Sequence, residues 1–378
     1  MRIAVVAGET SGDQLGAGLI KQLKDYYPDA KFYGIGGPLM QAQGFQCLYQ
    51  MEQISMIGLE GVFTRLPGII KIRRHLVNQF ISDMPDVFIG IDVPDFNLGL
   101  EKKLTRHAIT CIHYVSPTIW AWRGYRIKAI KKAIAHMLVL FPFEARLYEM
   151  HNVPVTFVGH PIADEVDGVA DQSACRINYN LSNDCDVIAL LPGSRTSEIQ
   201  RHAGLFIKTA ELLAQSYPDT KFIISAINRN AQNFINQLLE KGISNLNIQV
   251  STKNVRQVIS ASDLVLAASG TVTLETALMG KPLVVAYKVS KISELMVRLF
   301  SSVSFYAMPN FLLEKPIIPE YVQQQANVEN LSGALIRFLD DDELRNETIN
   351  KFKEIKAKLK VDSNKISANV VRTYLDAG

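Results

Sequence analysis

The sequence predicts an α/β protein made of two Rossmann-like domains, each built on a parallel sheet. Three observations carry this expectation. At 378 residues the chain is too long for one ordinary core and fits two domains. Short β-branched runs alternate with helix-length amphipathic segments, the order expected of βαβ units with right-handed crossovers. Several runs are continuously apolar rather than alternating, as in strands covered on both faces of a parallel sheet.

In the first half the strand candidates are 3–8 (IAVVAG), 31–37 (KFYGIGG), 87–92 (VFIGID), 109–115 (ITCIHYV), 137–143 (MLVLFPF) and 155–161 (VTFVGHP). In the second half they are 187–193 (VIALLPG), 221–227 (KFIISAI), 247–252 (NIQVST), 264–269 (LVLAAS) and 282–287 (PLVVAY). The polar stretch 163–186 has no strong strand and separates the halves, giving expected domains over 1–165 and 166–340. The remainder, 341–378, reads as helices packing on the domains or on a partner copy, which leaves room for a homodimer. Asp340–Asp342 and Ser363 have helix-start character, and Ile366, Val370, Val371, Tyr374 and Leu375 recur at helical spacing. The lysines at 351, 353, 356, 358 and 360 read as a solvated helix face.

Composition excludes several classes. With 48% hydrophobic and 20% charged residues the chain is globular rather than disordered. Forty Lys and Arg against 37 Asp and Glu give a formal charge of +3, too even for a nucleic-acid binder. Cys47, Cys111, Cys175 and Cys185 form no C-x-x-C pair, so neither a zinc knuckle nor a disulfide scaffold is expected. The N-terminus turns polar too early for a secretory leader, and no run reaches the ~18 apolar residues of a membrane span. A cytoplasmic chain is therefore expected.

In open α/β sheets ligands bind beyond the carboxyl ends of the strands, so those ends hold the candidates for chemistry. The first candidate strand runs into Gly8-Glu9-Thr10-Ser11-Gly12-Asp13, with Gly16 beyond. Its glycines allow close approach, and Ser11 or Asp13 could cap the helix that follows. The spacing is neither a dinucleotide fingerprint nor a Walker loop. Glu9 suits a sugar hydroxyl better than a phosphate. The third candidate strand ends in Asp92-Val93-Pro94-Asp95, where either carboxylate could be a general base. Asp92 stands at the strand's last position and is preferred; Asp95 could instead cap the next turn. Both tryptophans, Trp120 and Trp122, follow the fourth strand beside Arg123, a grouping that suits a sugar or acyl face. His113 and His160 read as hydrogen-bonding residues rather than as the base.

In the second half, Gly193, Ser194, Arg195 and Glu198 lead from a strand into a helix. There, backbone N–H groups and a guanidinium favour an anion. Ser269, Gly270 and Thr271 open another helix in the same way, and Glu275, about one turn in, could accept a ribose or sugar diol. Two phosphate-friendly turns with a nearby diol acceptor describe a site for a nucleotide-diphosphate sugar. Asp184-Cys185-Asp186 precedes its strand and Asp340–Asp342 starts a helix, so no metal site is assigned to either. The basic amphipathic segment 65–80 is either a helix covering the sheet or a membrane-surface element, and the apolar 56–63 before it extends the apolar side.

Taken in order, VAGETSGDQLGAGLI, IGIDVPDFN, HYVSPTIWAWR, LLPGSR with Glu198, ASGTVTLE and MPN at 308–310 resemble the lipid-A-disaccharide synthase family of Gram-negative bacteria, over residues 2 to 330. The resemblance implies a GT-B glycosyltransferase whose two sheets face each other across a cleft, without cofactor or metal. It implies a UDP-2,3-diacylglucosamine donor and a 2,3-diacylglucosamine 1-phosphate acceptor. It also implies a cytoplasmic enzyme held peripherally at the inner membrane, with Met56–Phe80 as the contact. On that basis Asp92 is the expected base. Gly193, Ser194, Arg195, Glu198, Ser269, Gly270, Thr271, Glu275 and Asn310 are expected on the donor, and Glu9, Ser11, Gly12, Asp95 and Trp120 on the acceptor.

Three rivals have distinct signatures. An NAD-dependent oxidoreductase would carry the fingerprint glycines, which are absent. A UDP-sugar epimerase would share the architecture but not depend on lipid. A sugar-nucleotide sensor would bind donor and keep its biological activity after Asp92→Asn.

Overall fold

The computed structural model describes residues 1–54, 62–119, 126–168, 171–241, 246–289 and 305–377, and only the backbone over 62–65. The chain divides into two compact units, Met1–Asp164 with Leu359–Gly378, and Glu165–Lys358.

The first unit holds a seven-stranded parallel sheet in the order β3-β2-β1-β4-β5-β6-β7. Its strands are β1 (Arg2–Ala7), β2 (Lys31–Gly36), β3 (Gln46–Gln50), β4 (Val87–Ile91), β5 (Cys111–Tyr114), β6 (His136–Val139) and β7 (Val155–Phe157). Side chains alternate between two cores. Ile3, Val5, Ile89, Ile91, Ile112 and Tyr114 pack on one face; Ala4, Val6, Phe88 and Cys111 pack on the other. Both faces are apolar, and this is the physical reason the strands read as unbroken hydrophobic runs. Strand β3 was not expected: it is an edge strand of sequence QCLYQ, half-buried at most, so it has no apolar run to betray it. Pro142 and Phe143, expected at a strand end, open the helix Pro142–Glu149 instead, with proline in the first turn where its missing N–H costs nothing.

The last helix, Ser363–Asp376, belongs to this unit and buries Ala368 and Val371 in the first core. The Asp164 carboxylate accepts the Asp362 and Ser363 amides at 3.1 and 2.8 Å, satisfying orphan donors at the helix start. The Asp13 carboxylate does the same work at long range. It was expected to cap its own helix, Thr10–Tyr26, but accepts Gly37 N, Leu39 N and Met40 N at 2.9–3.0 Å, at the start of the helix Pro38–Ala42.

The second unit holds a six-stranded parallel sheet in the order β10-β9-β8-β11-β12-β13. These are β8 (Val187–Leu191), β9 (Lys221–Ser225), β10 (Ile248–Ser251), β11 (Leu264–Ala268), β12 (Leu283–Tyr287) and β13 (Glu320–Val322). Strand β13 was also unexpected, being a three-residue edge strand. The helices Thr196–Ser216 and Val328–Asp340 cover one face through Phe206, Leu213, Leu331 and Phe338. Buried Arg176 gathers the amino edge. Its guanidinium donates to Asp263 Oδ2 at 2.6 Å and to the carbonyls of Ala261, Ser182 and Asn183, while Val187 N donates to the same Asp263 oxygen. Asp184 and Asp186 lie at this amino edge, ahead of β8, and no group of three or more potential metal ligands occurs among the described residues.

Candidate active site

Each sheet has one point where the chain order reverses, and the crevice beyond the carboxyl ends of the two strands there is where a ligand fits. In the first unit the strands are β1 and β4, with Ala7 registered beside Ile91. In the second they are β8 and β11, with Leu191 beside Ala267. The sequence motifs leave the sheets at these points.

Beyond β1, Glu9 is half-buried, Ser11 is exposed, and Gly12 is buried with Ala7 and Ile91 as its nearest neighbours. Beyond β4, Asp92 and Val93 both adopt left-handed backbone, with φ of 54° and 43°, before Pro94 starts the helix Pro94–Leu104. Val115, just past β5, has φ of 80°. Such conformations cost non-glycine residues about 1–3 kcal/mol each and cluster at functional sites. Asn97 holds the turn: its Nδ2 donates to Asp92 O at 2.8 Å, and to Val6 O and Ile91 O at 3.2 and 3.3 Å. Asp92 is half-buried, whereas Asp95 is exposed and ion-paired to Arg126 at 2.6 Å.

Behind this turn lies a polar pair with no solvent exposure: His113 Nδ1 and Glu101 Oε1 are 2.7 Å apart. Burial pushes the Glu101 carboxyl up, opposed by the neighbouring histidine. The bare Cα of Gly90 makes room for that carboxyl, since a Cβ at that position would stand 2.3 Å from Glu101 Oε1. Burial also pushes the Cys111 thiol up to about 12, so it is inert.

In the second unit, Gly193 has φ of 128°, and a Cβ there would meet the Glu198 Cβ at 2.5 Å. The glycine thus lets Glu198 fold back over the turn, where its Oε2 accepts Ser194 N and Arg195 N at 2.9 and 3.2 Å. The Ser194 and Arg195 amides are therefore held by Glu198 rather than presented to a phosphate. The Arg195 guanidinium stays 61% exposed, with its Nη1 3.7 Å from Glu198 Oε1. His202 Nδ1 donates to Glu198 O at 2.8 Å and its Nε2 accepts Lys288 N at 3.1 Å, which fixes a neutral tautomer. Burial holds its pKa below the usual histidine range.

At the neighbouring strand end, Gly270 and Thr271 are exposed at the start of the helix Thr271–Leu278. Ser269 donates its hydroxyl to Tyr306 O at 2.8 Å. Glu275 accepts Arg256 Nε at 2.5 Å, and Arg256 reaches Glu165 at 3.0 Å. Asn310 is buried and its side chain is committed internally. Its Nδ2 donates to Ile318 O and Glu320 Oε1, and its Oδ1 accepts Ile317 N and Ile318 N. Glu320 in turn accepts Tyr306 N and Ala307 N at 2.7 and 3.1 Å, at the start of the helix Met308–Leu313.

Asn97, Glu101, His202 and Glu320 escaped the sequence reading. Asn97 stands in the quoted IGIDVPDFN segment, and Glu101 lies one helical turn beyond it, so the i, i+4 spacing of two polar residues on the helix after Pro94 was the available signal. Trp120, with Trp122 and Arg123, lies outside the described residues. Of 56–80, residues 56–61 lie outside them as well. The rest falls in the helix Val62–Asp83, which buries Ile69, Leu76, Val77 and Phe80 while Leu66 and Ile70 are exposed.

Two parallel-sheet units with their candidate turns at the switch points define a GT-B protein. Solved structures share this fold. They include S. aureus MnaA with UDP (TM-score 0.67, 13% identity, 99% of this chain and 97% of that one). Another is Acinetobacter baumannii MurG (TM-score 0.60, 13% identity, 98% and 99%). At the level of sequence, the family model described as lipid-A-disaccharide synthetase matches residues 3–373. Lipid-A-disaccharide synthase of Pseudoalteromonas translucida is 43% identical over 380 residues, covering 100% of this chain and 98% of that protein. That of Idiomarina loihiensis is 40% identical over 374 residues, covering 99% and 98%. The chain belongs to the lipid-A-disaccharide synthetase family. It is a glycosyltransferase of lipid A biosynthesis.

Proposed function

We propose that the enzyme joins UDP-2,3-diacylglucosamine to 2,3-diacylglucosamine 1-phosphate, forming a β-1,6-linked disaccharide 1-phosphate and UDP, in one displacement with inversion. Asp92 takes the proton of the acceptor 6-hydroxyl as that oxygen bonds the anomeric carbon. The bond from that carbon to the phosphate oxygen breaks, and UDP leaves with the electron pair. The observation that carries this reading is the Asp92 turn: a half-buried carboxylate on left-handed backbone, at the switch point of its sheet and clasped from behind by Asn97. Asp95 is the weaker candidate because Arg126 already engages it.

On the donor side, Arg195 supplies the charge that stabilises departing UDP. Thr271 and Gly270 add the start of a helix, and Glu275 takes the ribose diol with Arg256 holding the carboxylate in place. Asn310 and Ser269 act through their neighbours, fixing the segment 306–320. Glu198 orders the Arg195 turn. Glu9, Ser11 and Gly12 face the acceptor. Leu66 and Ile70, exposed beside Lys71 and Arg74, form the described part of a contact with an anionic inner-membrane surface. No described helix is long and apolar enough to cross a membrane.

The test is UDP release in detergent micelles, with and without acceptor, with the lipid product identified by mass spectrometry. Acceptor-dependent release with disaccharide formed is expected. Donor binding without release would overturn the assigned reaction, and release of an epimerised sugar would favour an epimerase.

A further inference from the structure

The buried Glu101–His113 pair has no part in the chemistry just described, yet it lies directly behind the residue that does. Asn97 and Glu101 are four residues apart on the helix Pro94–Leu104, hence on one side of it. Asn97 grips the carbonyls of Val6, Ile91 and Asp92. One turn further, Glu101 Oε1 packs onto the bare Cα of Gly90 and meets His113, the register partner of Gly90 on β5. The helix is thus pinned at two points to the strands that carry the Asp92 turn, and it begins only two residues after Asp92.

The pair is costly as a purely structural device. Both side chains are fully enclosed, and Glu101 Oε2, His113 Nε2 and Asn97 Oδ1 have no partner among the described residues. An apolar pair of similar volume would hold helix to sheet at least as stably. What it would not supply is a directional link fixing the helix in rotation about its axis, and that rotation sets where Asn97 holds Asp92.

We propose that Glu101 and His113 are positioning residues that orient the Asp92 carboxylate through the Pro94–Leu104 helix, a reading that rests on Asp92 being the base.

The experiment compares Glu101→Leu/His113→Leu, Glu101→Gln and Asp92→Asn in the full chain. It measures kcat, donor and acceptor KM, and the urea midpoint. The double leucine variant should fold with an unchanged or higher midpoint. Its kcat should fall about 30-fold or more with both KM values held, since misplacing a catalytic group by about 1 Å can cost 100-fold. Glu101→Gln keeps a hydrogen-bonding partner for His113 and should recover most of that rate. A double leucine variant with parental kcat, while Asp92→Asn is inactive, would overturn the positioning role alone. An active Asp92→Asn would overturn the base assignment and this proposal with it.

Discussion

A Cβ placed on Gly8 would stand 2.5 Å from Val93 Cγ2, so the turn after β1 and the turn after β4 are in direct contact. Val93 is the second of the two left-handed residues, next to Asp92. The loop carrying Glu9 and Ser11 therefore buttresses the loop carrying Asp92, the proposed base. Gly8→Ala should push Val93 and cut kcat by about 10- to 100-fold. Overpacking should lower stability by about 1–3 kcal/mol. Steady-state kinetics and a urea titration check both.

Arg195 and Asn310 were both expected on the donor, and their surroundings separate them. Arg195→Ala removes an exposed guanidinium. It should lower kcat/KM for the donor roughly tenfold or more, mainly through kcat, the worth of a charge-assisted hydrogen bond of about 1.5–3 kcal/mol, and leave the melting temperature unchanged. Asn310→Ala strands the buried Ile318 amide and removes the donor to the Ile318 carbonyl, and it takes one bond each from Ile317 N and Glu320. It should cost about 2–4 kcal/mol of stability. Calorimetry and donor titration on the two variants tell them apart.

His202 should make the second unit sensitive to mild acid. Burial keeps its folded-state pKa below the ordinary value, so on acidification the unfolded chain takes up the proton first. Stability is then full above about pH 6.5 and falls below it, by at most about 1.4 kcal/mol per pH unit for one group. His136 in the first unit is shifted the same way by burial and adds its own slope. Urea midpoints between about pH 7.5 and 5.5 should decline, and His202→Gln should remove its share of the decline. An identical slope in the variant would show that His202 already titrates normally.

Strands buried on both faces were legible because each must be apolar throughout, as in β4 and β11. Edge strands β3 and β13 are covered less and carry no β-branched run, so they were missed, whereas the edge strands β7 and β10, VTF and IQVS, do carry one and were legible. The site divided along the same line. Among the proposed site residues, Asp92 and Arg195 are named by local context, a carboxylate or guanidinium just past a strand, and Glu275 by its place one turn into a helix. Asn97, Asp164, His202 and Glu320 act on backbone groups that folding brings to them, such as Val6 for Asn97 and Lys288 for His202. Asp13 shows the limit of local reading, since a short polar residue near a helix start serves a different helix 24 residues on.

The central claim is that Asp92 is the base of a direct transfer. The most direct measurement is single-turnover disaccharide formation by Asp92→Asn with saturating donor and acceptor, alongside the donor dissociation constant. The expected result is a rate reduced by about 100- to 10,000-fold, the usual worth of a positioned base, with donor affinity changed less than about threefold. Turnover close to the parent enzyme would contradict the account and move the base to another residue.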